Sequence, residues 1–269
     1  MLKLLAAALA VLTLAASPSA LAAKNSKGPD LAAREAAFEQ RLAKIAQRDG
    51  PNSDAVVHAL SGFGVELFSE DDPRANTASL VYLRRAVDIA LLAYGEKHPE
   101  YAVELHSYAM AVRGLGAAAA YPDAVAAIRK AHAIRVEALG EADAGTANAL
   151  GTLASMLSAP AYLAQSPGAC AEAVPLADAL MDLTARHKTA YGAEVLFMYG
   201  YAAETYGHCR EVAKAFAAAD AVNADAALEP NLARMSYTRA ADALDAAGLA
   251  DQAKALRKLY PGLEAYAGS

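Results

Sequence analysis

The chain has 269 residues, 56 % of them hydrophobic, a formal net charge of −6 and a pI near 5.5. That mild acidity, with no long basic run, argues against a nucleic-acid partner, whose backbone is held by clustered Lys and Arg. Alanine supplies 73 residues and Trp none; because alanine is the best helix former and β-branched runs are short, the composition predicts an all-α protein with a thin, small-residue core.

In chain order, residues 1–22 read as a secretory signal peptide. Lys3 precedes an apolar run from Leu4 to Ala16, and Ala20-Leu21-Ala22 is an A-x-A cleavage site. The run is too short for a comfortable transmembrane helix. Residues 23–269 are then the folded part, exported to the periplasm. Asp30–Gln47 is the first expected helix.

Three stretches follow in register: 50-GPNSDAVVHALSGFGVEL-67, 95-GEKHPEYAVELHSYAMAV-112 and 140-GEADAGTANALGTLASML-157. Their leading glycines are 45 residues apart. Four columns match: Leu60, Leu105 and Leu150; Phe63, Tyr108 and Leu153; Gly64, Ala109 and Ala154; Leu67, Val112 and Leu157. Such self-similarity at a fixed period signals stacked units. Each unit has a second helix. That of the middle copy, from Pro122 to Leu139, carries an apolar stripe at Ala124, Ala127, Ile128, Ala131 and Ile134, with Arg129, Lys130 and Arg135 on other faces. Gly95 and Gly140 end these second helices, as a C′ glycine commonly does.

After residue 157 the register loosens, and 158–170 reads as a longer loop. Helices follow near 171–186, 190–206, 209–222, 231–247 and 250–259, for about eleven helices in all. The repeat units are expected near 54–94, 99–139, 145–186, 189–222 and 231–259. A unit cannot bury its apolar face alone, and stacking neighbours completes the core. The two cysteines, Cys170 and Cys209, suggest one disulfide in an exported chain, with two free thiols the alternative.

No catalytic motif stands out. There is no G-x-S-x-G, P-loop or H-E-x-x-H, and the six histidines are scattered. His98 lies between Glu96 and Glu100, but these fall on opposite sides of a turn and the other units keep no such set. The reading is a solvated joint, with no metal and no cofactor.

Gly95, His98, Pro99, Ala102, Leu105, Ala109, Gly116, Tyr121, Ala124, Ala131, Ile134 and Gly140 together resemble the tetratricopeptide repeat (TPR) family, in its longer-period, kinesin-light-chain-like form, here in an exported bacterial protein. The third unit departs from it, with Asp143-Ala144 in place of His-Pro. The resemblance implies a right-handed superhelical α-solenoid of antiparallel helix pairs that binds a peptide or protein segment on a concave face lined by first helices. Carried over, that face comprises His58, Ser61, Val65 and Phe68; Val103, His106, Met110 and Arg113; Asn148, Gly151, Ser155 and Ser158; and Glu194, Phe197, Tyr201 and Glu204. The expected function is a non-catalytic interaction module or scaffold of the cell envelope, compatible with self-association. An all-helical envelope glycan hydrolase or lyase, or a structural subunit of an envelope assembly, is the alternative.

Overall fold

A computed structural model of the chain describes residues 30–70 and 72–260; the expected signal peptide lies outside the described residues. The backbone divides into two units, residues 1–37 and 38–269. The described part of the first is Asp30 and the opening of helix α1 (Leu31–Asp49). The second unit contains the rest of α1 and everything discussed below.

The described residues form twelve α-helices and no strand. Helices α2 (Asp54–Phe68) and α3 (Pro73–Tyr94) pack as a pair, as do α4 (Pro99–Gly114) and α5 (Tyr121–Leu139). The segment expected as a plain loop after residue 158 holds a short helix, α7 (Pro160–Leu163), so α6 (Ala144–Ser158) pairs with α8 (Cys170–Tyr191). Then come α9 (Val195–His208) with α10 (Val212–Ala224), and α11 (Pro230–Ala246) with α12 (Ala250–Leu259). No described helix is long and apolar enough to cross a membrane.

The joints follow from local chemistry. Gly95 and Gly140 take φ of 89° and 87°, a region costly for a residue with a Cβ. His98 caps α4: its Nδ1 accepts from the Glu100 amide at 3.2 Å, and Pro99 fills the first helical position. In the next unit Asp143 does the same work for α6, accepting from the Thr146 amide at 2.9 Å. The third unit therefore lacks His-Pro but keeps the cap.

The repeat columns form the core. Leu60, Leu105 and Leu150 are buried, as are Phe63, Tyr108 and Leu153, and Leu67, Val112 and Leu157. Helix α6 goes further, since every residue from Ala149 to Ser158 is buried. One face, with Leu150 and Ala154, joins the core of α8 to α12; the other, with Leu153, Met156 and Leu157, joins that of α2 to α5. A helix apolar or small all round is a helix with neighbours all round. The small residues of α9 and α11 allow similar closeness: Gly200 lies against Ser236, and Gly207 against Ala243.

Cys170 and Cys209 form a disulfide, with Cα atoms 5.6 Å apart. Cys170 opens α8, and Cys209 sits in the turn between α9 and α10 rather than opening a helix. The bridge thus ties the joint of the fourth pair to the helix beneath it.

Candidate binding site

The first helices of successive units meet around a cavity of about 370 Å³. Helix α4 supplies its floor with Val103, His106, Ser107 and Met110. From α2 come Val65 and Phe68, and from α9 Phe197 and Tyr201. Asn148 of α6 and Arg135 of α5 add polar atoms. Val65 is 51 % and Val103 37 % exposed, so the cavity opens to solvent at that side and is a recess.

Helical spacing brings Val103, His106 and Met110 to one face of α4. His106 is largely enclosed; its Nε2 lies 3.0 Å from the Thr152 hydroxyl. Burial, with the Arg135 charge nearby, pulls its pKa down to about 3, so the ring is neutral at ordinary pH. Met110 receives two weak contacts at its sulfur, from the hydroxyls of Thr152 and Tyr201.

One turn on, the expected open surface closes. Arg113 does not face solvent: it pairs with Glu204, its Nε donates to Ser155 Oγ at 2.7 Å, and its guanidinium lies over the Tyr201 ring. Ser155 and Ser158 are fully buried, and Tyr201 is 2 % exposed. Gly151 has no room for a side chain because Tyr201 and Leu180 occupy the space. For Arg113, Gly151, Ser155, Ser158 and Glu204 the expectation of presentation to a partner is thereby corrected, while Tyr201 still lines the recess. They share the expected face, but α9 packs onto α6 and covers it.

The remaining candidates scatter. His58 is exposed, 3.2 Å from Asp54 within the same helix. Ser61 is half-buried and faces the buried carboxyl of Glu104. Burial pushes Glu104 above the usual carboxylate range, against the pull of Ser61 and His58. Glu194 is exposed, in a 3₁₀ turn before α9, and does not line the recess.

Reading the helix faces missed Leu83, Ser107 and Ala111 of the lining, and also its one arginine, Arg135. A signal for it exists, because it lies 45 residues after Ala90, which is fully buried. A repeat column buried in one unit points inward in the next. Gly145 at the start of α6 is another sign, since a Cβ there would strike the Arg135 guanidinium.

Among the described residues no group of three or more His, Cys, Asp or Glu is placed to hold a metal. The polar atoms of the recess can donate or accept hydrogen bonds and offer one fixed positive charge; its lining includes no carboxylate.

No family model matches the chain, and no curated protein does. Solved structures do. One contains nearly identical TPR-like repeats of a kinesin light chain from Podospora anserina. It matches with a TM-score of 0.55 at 18 % identity, over 78 % of this chain and 95 % of that one. A single-site variant of the same fungal protein matches with a TM-score of 0.56 at 19 % identity, over 78 % and 94 %. At that identity the likeness is one of fold: this chain is an all-α solenoid of TPR-like helix pairs, similar to the kinesin-light-chain type.

Proposed function

We propose that the protein is a non-catalytic interaction module or scaffold, exported to the periplasm by cleavage after Ala22, and that its recess receives a peptide or protein segment. The observation that carries this reading is the recess itself. It is bounded by first helices of successive units, has a solvent-open mouth at Val65 and Val103, and has apolar walls at Phe68, Met110 and Phe197. Exposed apolar residues beside a concave, mostly apolar lining are what a binding site needs. The recess offers no acid pair of the kind that glycan hydrolysis uses, so the module reading leads.

The test is affinity capture from the native envelope with the wild-type chain and with V65E/V103E. Both positions are exposed, so the double variant should fold normally. Capture that depends on these two residues, and is lost in the variant, supports the proposal. Identical capture by both chains removes the recess from the account. Localisation is read separately, by fractionating cells and determining the mature N-terminus.

A further inference from the structure

The recess has one polar end, and that end is incomplete. Arg129 and Lys130 of α5 are paired with Glu172 and with Glu96. Arg135 on the same helix has no ion pair among the described residues, and its Nε is buried without a hydrogen-bond partner. Asp143, one nearby carboxylate, is engaged in capping α6. Asn148 also lines the recess, one turn along α6 from Gly145, whose Cβ would strike the Arg135 guanidinium, and it has a buried, unpartnered atom, its Oδ1. Unpaired buried polar atoms are uncommon in native proteins and call for an explanation.

The charge pattern defines the missing group. His106 is neutral and already bonded to Thr152. Arg135 is thus the cation of the lining, although burial lowers its pKa against the pull of Asp143 and Glu100. A planar guanidinium beside a carboxamide suits a carboxylate, because both can donate to its two oxygens. The amide of Asn148 needs only a half-turn to exchange its unpartnered oxygen for an N–H donor. The rest of the lining includes Met110, Phe68 and Phe197, which suit an uncharged chain or ring.

We propose that the recess binds a free amphipathic monocarboxylate, its carboxylate held by Arg135 and Asn148 and its apolar body against Met110 and Phe197. The cavity's 370 Å³ lies in the ordinary range of small-ligand pockets. Decanoate therefore serves as the probe. The inference goes beyond segment binding and is tested with no peptide present, so failure of one reading is separate from failure of the other.

The experiment is calorimetric titration of the full disulfide-bonded chain with decanoate, held below its micelle concentration, beside 1-decanol. Saturable 1:1 binding of decanoate, at least tenfold tighter than decanol, is expected. Arg135→Gln should reduce decanoate to the level of decanol while the melting temperature holds or rises. Val103→Trp, at the exposed mouth, should block both ligands without touching the polar end. Absence of saturable binding, equal affinity of the two ligands for the wild type, or an acid-over-alcohol ratio unchanged in Arg135→Gln would each overturn the proposal.

Discussion

The guanidinium of Arg113 on α4 is paired with the carboxylate of Glu204 on α9, 91 residues along the chain and two helix pairs on. Both side chains are largely withdrawn from water, at 11 % and 15 % exposure. Burial opposes the charge on Arg113, yet Glu204 raises its pKa above the usual arginine range. Truncating one partner leaves the other buried and alone. Arg113→Met should therefore cost about 3–5 kcal/mol, and Glu204→Gln a similar amount. The double variant should recover a large part of the loss. Urea unfolding of the four chains reads this cycle, and additive losses would show that the pair does not couple the helices.

That relationship shows where sequence reading succeeds and where it stops. The 45-residue columns identified the core, because a position buried by stacking in one unit is buried in the next: Leu60, Leu105 and Leu150 behave alike. The joints were legible from Gly95, His98, Pro99 and Gly140, whose chemistry is local. The face of α4 with His106, Met110 and Arg113 was also legible. What covers that face was not, since periodicity cannot distinguish solvent from a helix two pairs away. Arg113 and Ser155 therefore read as a partner surface and are interior. Arg135 failed for the opposite reason: charge suggested solvent, while its column mate Ala90 is buried.

Acid should weaken the fold partly through His106. Its pKa is near 3 in the folded chain and near 6.5 when unfolded. Below 6.5 the unfolded state takes up a proton that the folded state refuses, so stability falls as pH falls, down to about 3. At about 1.4 kcal/mol per unit, lowering the pH from 7 to 5 should cost about 2 kcal/mol through this residue. Burial also lowers His132 and His208, which act in the same direction. His106→Asn should show a shallower loss over that range. Parallel pH profiles of unfolding free energy for the two chains would refute the assignment.

Glu104 works in the other direction. The residue is 4 % exposed, one of its carboxyl oxygens has no partner, and burial raises its pKa above the ordinary 4.5. Ionisation is then easier in the unfolded chain, and the residue destabilises the fold increasingly as pH rises above 4.5. Glu104→Gln should raise the melting temperature at pH 7 and lose that advantage well below pH 4.5. A variant that melts lower at neutral pH would show that the carboxylate is compensated in solution.

Two glycines should respond oppositely to alanine. A Cβ on Gly207 of α9 would lie 2.7 Å from Ala243 Cβ and 3.2 Å from backbone atoms of α11, which cannot yield as a side-chain tip can. Gly207→Ala should destabilise by about 1–3 kcal/mol through overpacking. Gly62 of α2 is exposed, and a Cβ there meets nothing within 4 Å. Gly62→Ala should stabilise by about 0.5–1 kcal/mol through helix propensity and the entropy of the unfolded chain. Thermal melts of the two variants decide it, and a neutral Gly207→Ala would mean that α9 and α11 are less closely packed than the structure has them.

The disulfide should matter more than either glycine change. It joins residues 39 apart, across the segment where the repeat register is loosest. In the chain-entropy treatment, a loop of that size contributes roughly 3–4 kcal/mol by restricting the unfolded chain. Cys170 begins α8 and Cys209 follows α9, and these two helices flank the buried helix α6. Cys170→Ser/Cys209→Ser should lower the urea midpoint with little change in helix content below the transition. Hydrogen exchange should then rise first in the α9–α10 joint and the opening turn of α8, while α4 and α5, outside the closed loop, keep their protection. If exchange instead rises uniformly along the chain, the bridge acts on global stability alone and leaves that joint no weaker than the rest.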